Sequence, residues 1–360
     1  MNPVRVLMTA GEASADKHAA LLIRALRDQL GPAEFYGLGG PEMVREGFEA
    51  SYPMTALSVM GFSDVAPKLL RILGVYWGLK RLMRTRRPDI FIPVDLPDFN
   101  MRLSASAHAR GIRVLYYIAP QAWAWRRGRA RRLARITDGL GVIFPFEEDF
   151  FKGYGVNARY VGHPALERAP LIEDALWPPK RIAILPGSRW DEIKRMLPVM
   201  LEAKRQIAPR HKDLRWYLPV APGLDAMRIR ALVDPDIILT ESLPKADLAM
   251  VKSGTACFEM ALKGVPEVIC YTTSGMNYRL AKAFIAVDHI GMPNIAAGRT
   301  LAPELIQDGF TGQNLAFLML RYINDKTLYQ ETRGAFLQLR AALGGKKASK
   351  EVAQWVKSLL

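Results

Sequence analysis

Four short stretches of this chain put chemistry-bearing residues where a strand-like run gives way to a helix-spaced one. "GEASADKH" offers Gly11 for a tight turn, followed by Ser14 and Asp16, both of them helix-capping residue types. "PGSRWDEIKR" sets Gly187 and Ser188, whose backbone N–H groups can face an anion, beside Arg189, whose guanidinium suits bidentate phosphate binding. "KSGTACFEM" places Ser253, Gly254 and Thr255 at a helix mouth, with Glu259 one turn inside. Unpaired N–H groups and the helix dipole give such a mouth partial positive charge. A diphosphate resting on Ser253, Gly254 and Thr255 would bring ribose hydroxyls to Glu259; the alternative role for Glu259 is to stabilise the first helical turn. None of the three loops follows the Walker A or GxGxxG pattern, which argues against a P-loop NTPase or a standard dinucleotide enzyme.

The fourth stretch, "FIPVDLPDFNMRL", ends a strand with Asp95 and Asp98 on either side of a proline. One of these acids could act as general base on a hydroxyl, and helix capping is the competing role, better suited to Asp98. Farther on, "YYIAPQAWAWRRGRARRLAR" sets Trp123 and Trp125 before six arginines, a composition that fits either nucleic-acid binding or the wall of a substrate cleft. His163, alone in "VGHPALE", reads as a minor contributor. Residues 52–87 combine Leu69, Leu70, Leu73 and Trp77 with Lys68, Arg71, Lys80, Arg81 and Arg84, and hold no acid between Asp64 and Asp89. Such a segment suits an anionic membrane or a lipid phosphate, or else packs as an ordinary core helix.

The elements that must position these residues are legible as short β-branched runs alternating with helix-spaced ones. "VRVLMTA", "EFYGLG", "DIFIPV", "VLYYIA" and "GLGVIF" occupy the first half; "RIAILP", "LRWYLPV", "DIILTE", "LAMVKSG" and "EVICYTT" the second. This alternation predicts an α/β fold with two doubly wound, Rossmann-like domains built from parallel sheets. Between the series lies the proline-rich "ERAPLIEDALWPPKR". The predicted organisation is therefore a first domain over 1–168, a linker over 169–180, a second domain over 181–333, and a C-terminal helical segment over 334–360 that straps back onto the first. Ligands of such folds sit beyond the carboxyl ends of the strands, where all four stretches fall.

At 360 residues the chain exceeds the size at which one core usually stops growing, roughly 250–300 residues, in keeping with two domains. Lys and Arg number 50 against 35 Asp and Glu, a formal charge of +15 that calls for an anionic partner or surface. The two cysteines, Cys257 and Cys270, lack metal-site spacing and read as buried thiols in a reducing compartment. With no signal-peptide pattern and no apolar run near the ~18–20 residues of a membrane span, a cytoplasmic location is expected.

In order along the chain, "GEAS" (11–14), "VMGFSDV" (59–65), "VDLPDFN" (94–100), "APQAWAWR" (119–126), "VGHP" (161–164), "LPGSR" with Glu192, "SGTACFE" (253–259) and "MPNIAAGR" with "PELIQ" (292–307) resemble the lipid A disaccharide synthase family. The resemblance implies an inverting glycosyltransferase of GT-B fold, with a cleft between its domains. It would transfer diacylglucosamine from UDP-2,3-diacylglucosamine to 2,3-diacylglucosamine 1-phosphate, forming a β-1′,6 disaccharide and releasing UDP. Carried over by position, it makes Asp95 the base with Asp98 in support. It assigns Gly11, Ser14, Gly187, Ser188, Arg189, Ser253, Gly254, Thr255, Glu259 and Asn294 to nucleotide binding. No cofactor or obligatory metal and no specific nucleic acid are implied. The expected location is the cytoplasmic face of the inner membrane, bound peripherally to its anionic surface, and a homodimer is compatible. Ala15 stands where the family usually has glycine, and Lys252 where it has a small apolar residue. Other expectations compatible with parts of the pattern are another GT-B enzyme acting on a UDP-sugar and a lipid phosphate, a UDP-sugar epimerase, or a catalytically degenerate basic protein binding RNA or membrane.

Overall fold

The computed structural model describes residues 3–57, 65–123, 127–173, 177–221, 223–243, 245–273 and 288–360, with backbone alone for 65–68. Trp125 and most of "VMGFSDV" lie outside these residues. The chain forms two compact units, Met1–Pro164 with Gly345–Leu360, and Ala165–Gly344.

The first unit runs β1 (Val4–Ala10), α1 (Ala13–Leu30), β2 (Ala33–Gly39), α2 (Pro41–Arg45), β3 (Glu49–Pro53), α3 (Val65–Thr85), β4 (Ile90–Val94), α4 (Pro97–His108), β5 (Arg113–Tyr117), α5 (Gly128–Ile136), β6 (Gly139–Val142), α6 (Pro145–Lys152) and β7 (Ala158–Tyr160). Its strands pair in parallel in the order β3-β2-β1-β4-β5-β6-β7. Central strands buried on both faces must be apolar throughout, as β4 ("IFIPV") is. On one face, Ala15, Ala19, Leu22, Ile23 and Leu26 of α1 pack with Val352, Trp355 and Val356 of the C-terminal helix Ala348–Leu359. On the other, Val75, Leu79 and Met83 of α3 pack with Leu103 and Ala107 of α4.

The second unit contains β8 (Arg181–Leu185), α7 (Trp190–Ile207), β9 (Arg215–Pro219), α8 (Ala226–Arg230), β10 (Ile237–Thr240), β11 (Leu248–Lys252), α9 (Thr255–Leu262), β12 (Glu267–Tyr271) and β13 (Glu304–Ile306), with further helices at Met292–Ala297, Gly312–Asn324 and Lys326–Ala342. The order is β10-β9-β8-β11-β12-β13, again all parallel.

The boundaries depart from those read in the sequence. Residues expected to form a linker are tied into the second unit: Ile172 N–H donates to Lys263 O at 3.0 Å, and Arg333 and Arg340 donate to Ile172 O and Ala169 O, each at 2.7 Å. Helix Lys326–Ala342, expected to belong to the returning tail, also stays there. Its Tyr329 sits in the second unit's core and donates to Asp247 O at 2.9 Å. The tail that joins the first unit starts at Gly345 rather than 334.

Candidate active site

In each sheet the connections reverse direction at one place, between β1 and β4 in the first unit and between β8 and β11 in the second. The crevice at such a switch point is where doubly wound folds hold ligands. The loops that follow these four strands are the four stretches singled out in the sequence.

In the first unit, Asp95 and Leu96 follow β4 with φ of +52° and +53°. Two successive left-handed residues without a glycine cost about 1–2 kcal/mol each. The turn is held from behind: Asp95 O accepts from Asn100 Nδ2 and from Tyr116 Oη, each at 2.7 Å, and Asp95 N–H donates to Tyr117 O at 3.1 Å. Asn100 is itself fully buried and accepts from Thr9 Oγ1 at 2.7 Å. Asn100, Tyr116 and Thr9 were missed as site-shaping residues, although Asn100 closes the "VDLPDFN" stretch. Burial, reinforced by the charge of Glu12, pushes the Asp95 carboxyl up to about 6. A carboxylate made more basic in this way is a better proton acceptor near neutral pH.

Gly11 lies against this turn, since a Cβ there would come within 2.7 Å of Leu96 Cδ2. Ser14 sits half-buried in the first turn of α1, whereas Ala15 points into the core at 2% exposure, away from the loop mouth. Asp16 does not cap α1. Its buried carboxylate accepts the N–H groups of Gly40, Glu42 and Met43 and so caps α2. Asp98 is 71% exposed and paired at 2.5 Å with Arg129, which is only 8% exposed. It neutralises a buried guanidinium rather than carrying a desolvated carboxylate of its own. Trp123 donates to Glu147 Oε1 at 2.9 Å, and the same carboxylate takes the Ile143 and Phe144 N–H groups, each at 3.0 Å. Burial outweighs these bonds and pushes Glu147 up to about 7. His163 is buried with its ring 5.1 Å from that of Phe144.

In the second unit, Gly187 turns the chain after β8 with φ +127°, and Arg189 precedes α7. The Ser188 N–H, expected to face an anion, is already taken by Glu192 Oε2 at 3.0 Å, and the Arg189 N–H is taken by the same oxygen at 3.3 Å. A glutamate in the first turn of a helix folds back readily onto these donors. What this loop presents outward is the 64% exposed Arg189 side chain. The mouth of α9 is different, because Gly254, at φ +156°, provides no side-chain cap for the helix. Thr255 opens the helix and is exposed. Ser253 donates its hydroxyl to Ile290 O at 2.7 Å and so braces the neighbouring loop. Glu259 is paired at 2.7 Å with Arg168, which fixes one carboxylate oxygen. Lys252, at the end of β11, reaches Glu192 Oε1 at 3.1 Å and links the two loops.

Asn294 departs most from its expected role. It is fully buried; its amide donates to Ala302 O and Glu304 Oε1, each at 2.8 Å, and its carbonyl accepts from Leu301 and Ala302 N–H at 2.7 and 3.0 Å. All four of its hydrogen-bonding valences are filled by protein, so it shapes the loop rather than a ligand contact. Both cysteines are buried free thiols.

Two parallel α/β units of Rossmann type, with a desolvated carboxylate at one switch point and cations beside a helix mouth at the other, give the fold of the GT-B class. Solved structures with this fold include a UDP-GlcNAc 2-epimerase from Neisseria meningitidis bound to UDP-GlcNAc (TM-score 0.66, 13% identity, 99% of each chain covered). MurG of Acinetobacter baumannii is also similar (TM-score 0.60, 16% identity, 99% of this chain and 100% of that one). The family is given by sequence: the lipid-A-disaccharide synthetase model matches residues 6–358. The chain is 39% identical to a lipid-A-disaccharide synthase of Anaeromyxobacter dehalogenans strain 2CP-C, over 98% of its own length and 96% of that protein's. This chain belongs to the lipid-A-disaccharide synthetase family and is a hexosyltransferase of lipid A biosynthesis, using a UDP-sugar donor and a lipid acceptor.

Proposed function

We propose that the protein joins UDP-2,3-diacylglucosamine to 2,3-diacylglucosamine 1-phosphate by a single inverting displacement, with Asp95 as general base. The observation that carries this reading is the turn at Asp95, where a strained backbone, fixed by Asn100 and Tyr116, holds a carboxyl pushed up to about 6. The acceptor's 6-oxygen forms a bond to the anomeric carbon as its proton passes to Asp95. The bond from that carbon to the diphosphate oxygen breaks, and UDP departs with the electron pair. Negative charge grows on the diphosphate, where the α9 mouth, whose N-cap Gly254 brings no side chain, and the Arg189 guanidinium can stabilise it without an obligatory metal. Glu259, oriented by Arg168, receives the ribose hydroxyls. Purified protein given both substrates in detergent with a chelator should yield disaccharide 1-phosphate and UDP by mass spectrometry. Absence of product with the chelator, restored by a divalent cation, would refute the metal-free mechanism.

The acyl chains call for a lipid-facing surface, which α3 supplies. Its Val75, Leu79 and Met83 face the core, while Leu69, Leu70, Leu73 and Trp77 are exposed, Leu70 by 70% and Trp77 by 61%. Arg71, Arg81 and Arg84 are exposed on the same helix, and Lys80 Nζ lies 4.5 Å from the centroid of the Trp77 ring. No helix among the described residues is long and apolar enough to cross a membrane. We assign α3 to peripheral docking on an anionic bilayer. Cosedimentation with vesicles containing phosphatidylglycerol, compared with neutral vesicles, tests this assignment.

A further inference from the structure

Lys252 is a charged side chain of the second switch point to which the reading of its loops as phosphate binders gave no role. Its stem leaves the last residue of β11, and its ammonium stands 3.1 Å from Glu192 Oε1 on the first turn of α7. The same nitrogen lies 3.7 Å from the place where a Cβ of Gly254 would be, at the entrance to α9, and 5.9 Å from the centroid of the Tyr271 ring. The ammonium therefore sits beside both helix entrances at once. Glu192 alone would work against a diphosphate here, because its carboxylate covers the Ser188 and Arg189 N–H groups and adds a negative charge. The carboxylate is held below its ordinary range: burial opposes this, but Lys252, the Ser188 N–H and Arg189 together prevail. It stays ionised, and Lys252 neutralises it. An ammonium carries three donors, and Glu192 engages one, so the same head can serve a second anion.

We propose that Lys252 is a further substrate-binding residue, a cation that contacts the diphosphate of the nucleotide-sugar while holding Glu192, and that stabilises the charge gathering on departing UDP. The inference rests on the reading of this switch point as the UDP site. It makes Lys252 selective for diphosphate over monophosphate, since the second phosphate meets the β11–α9 entrance.

The test is calorimetric titration of the full-length protein with UDP, UMP and uridine, for wild type, Lys252→Met, Glu192→Gln and the double variant, alongside turnover of both lipid substrates. The expected result is that Lys252→Met weakens UDP binding roughly tenfold to a hundredfold, the worth of one charge-assisted hydrogen bond, and uridine binding less than twofold. Turnover should fall in parallel, and Lys252→Arg should restore part of both. The loss on Lys252→Met should persist in the Glu192→Gln background. If it vanishes there, Lys252 acts only by anchoring Glu192, and the proposed contact is overturned. Equal UDP affinity in wild type and Lys252→Met overturns it as well. Wild-type protein that binds no UDP would instead refute the nucleotide site itself. Thermal melting of each variant identifies any that fails to fold, and if Lys252→Met does, Lys252→Gln, which removes the charge but keeps a polar stem, carries the comparison with the same expected loss.

Discussion

The two switch points have the same strand topology and opposite electrostatics. At the first, the half-buried carboxylate of Asp95 is raised by desolvation and by another acid, Glu12. At the second, the carboxylate of Glu192, in the first turn of α7, is surrounded by Lys252, Arg189 and backbone donors and held ionised. Surroundings, rather than fold or residue type, decide which carboxylate is poised to take a proton and which serves as a fixed strut. Glycosyl transfer needs both conditions: a base for the incoming hydroxyl and positive charge for the outgoing diphosphate.

The largest effect expected from disturbing this contrast is that of Asp95→Asn. Turnover should fall by a factor on the order of 10²–10⁴, the range of a lost general base, while calorimetry shows UDP affinity within about twofold of wild type. Wild-type turnover in this variant would remove Asp95 from the mechanism. Next comes the pH profile. Because the base must be unprotonated, kcat/KM should fall about tenfold per unit as pH drops below about 6, and a profile flat to pH 5 would place the base elsewhere. Glu259→Ala, which also strands Arg168, should weaken UDP binding roughly tenfold, and an unchanged dissociation constant would return Glu259 to a helix-stabilising role. Asn100→Ala leaves Asp95 O short of a donor and Thr9 Oγ1 short of its acceptor. It should cost about 1–3 kcal/mol by denaturant melt and lower kcat without changing UDP affinity. The smallest effect on chemistry belongs to Trp77→Glu, which should weaken binding to anionic vesicles roughly tenfold, in line with an aromatic side chain lost from a lipid surface.

Most of the fold was legible because its central strands are continuous apolar runs separated by amphipathic helices. The strands that escaped, β3, β7 and β13, lie at the edges of their sheets with most residues exposed or half-buried, so no continuous apolar run marks them. The domain boundaries went astray because proline-rich composition marks irregular backbone but says nothing of its hydrogen bonds. Segment 169–173 is irregular and yet pinned by Arg333 and Arg340, which lie far along the chain. At the site, the loops were legible from glycine, serine and acid spacing. The partners within them were not. Glu192 filling the Ser188 and Arg189 donors, Asp98 serving Arg129, and Asn294 saturated by its own loop are each outcomes of geometry that residue type leaves open.

The left-handed pair at Asp95 and Leu96 also bears on which sequences this turn can tolerate. Leu96 lies against the bare α-carbon of Gly11, so the two positions, remote along the chain, share one small volume. In a library of single substitutions, position 96 should accept asparagine or glycine and reject valine and isoleucine, whose branched Cβ disfavours this backbone however well their hydrophobicity matches. An alanine at position 11 should survive mainly in chains that have first trimmed position 96.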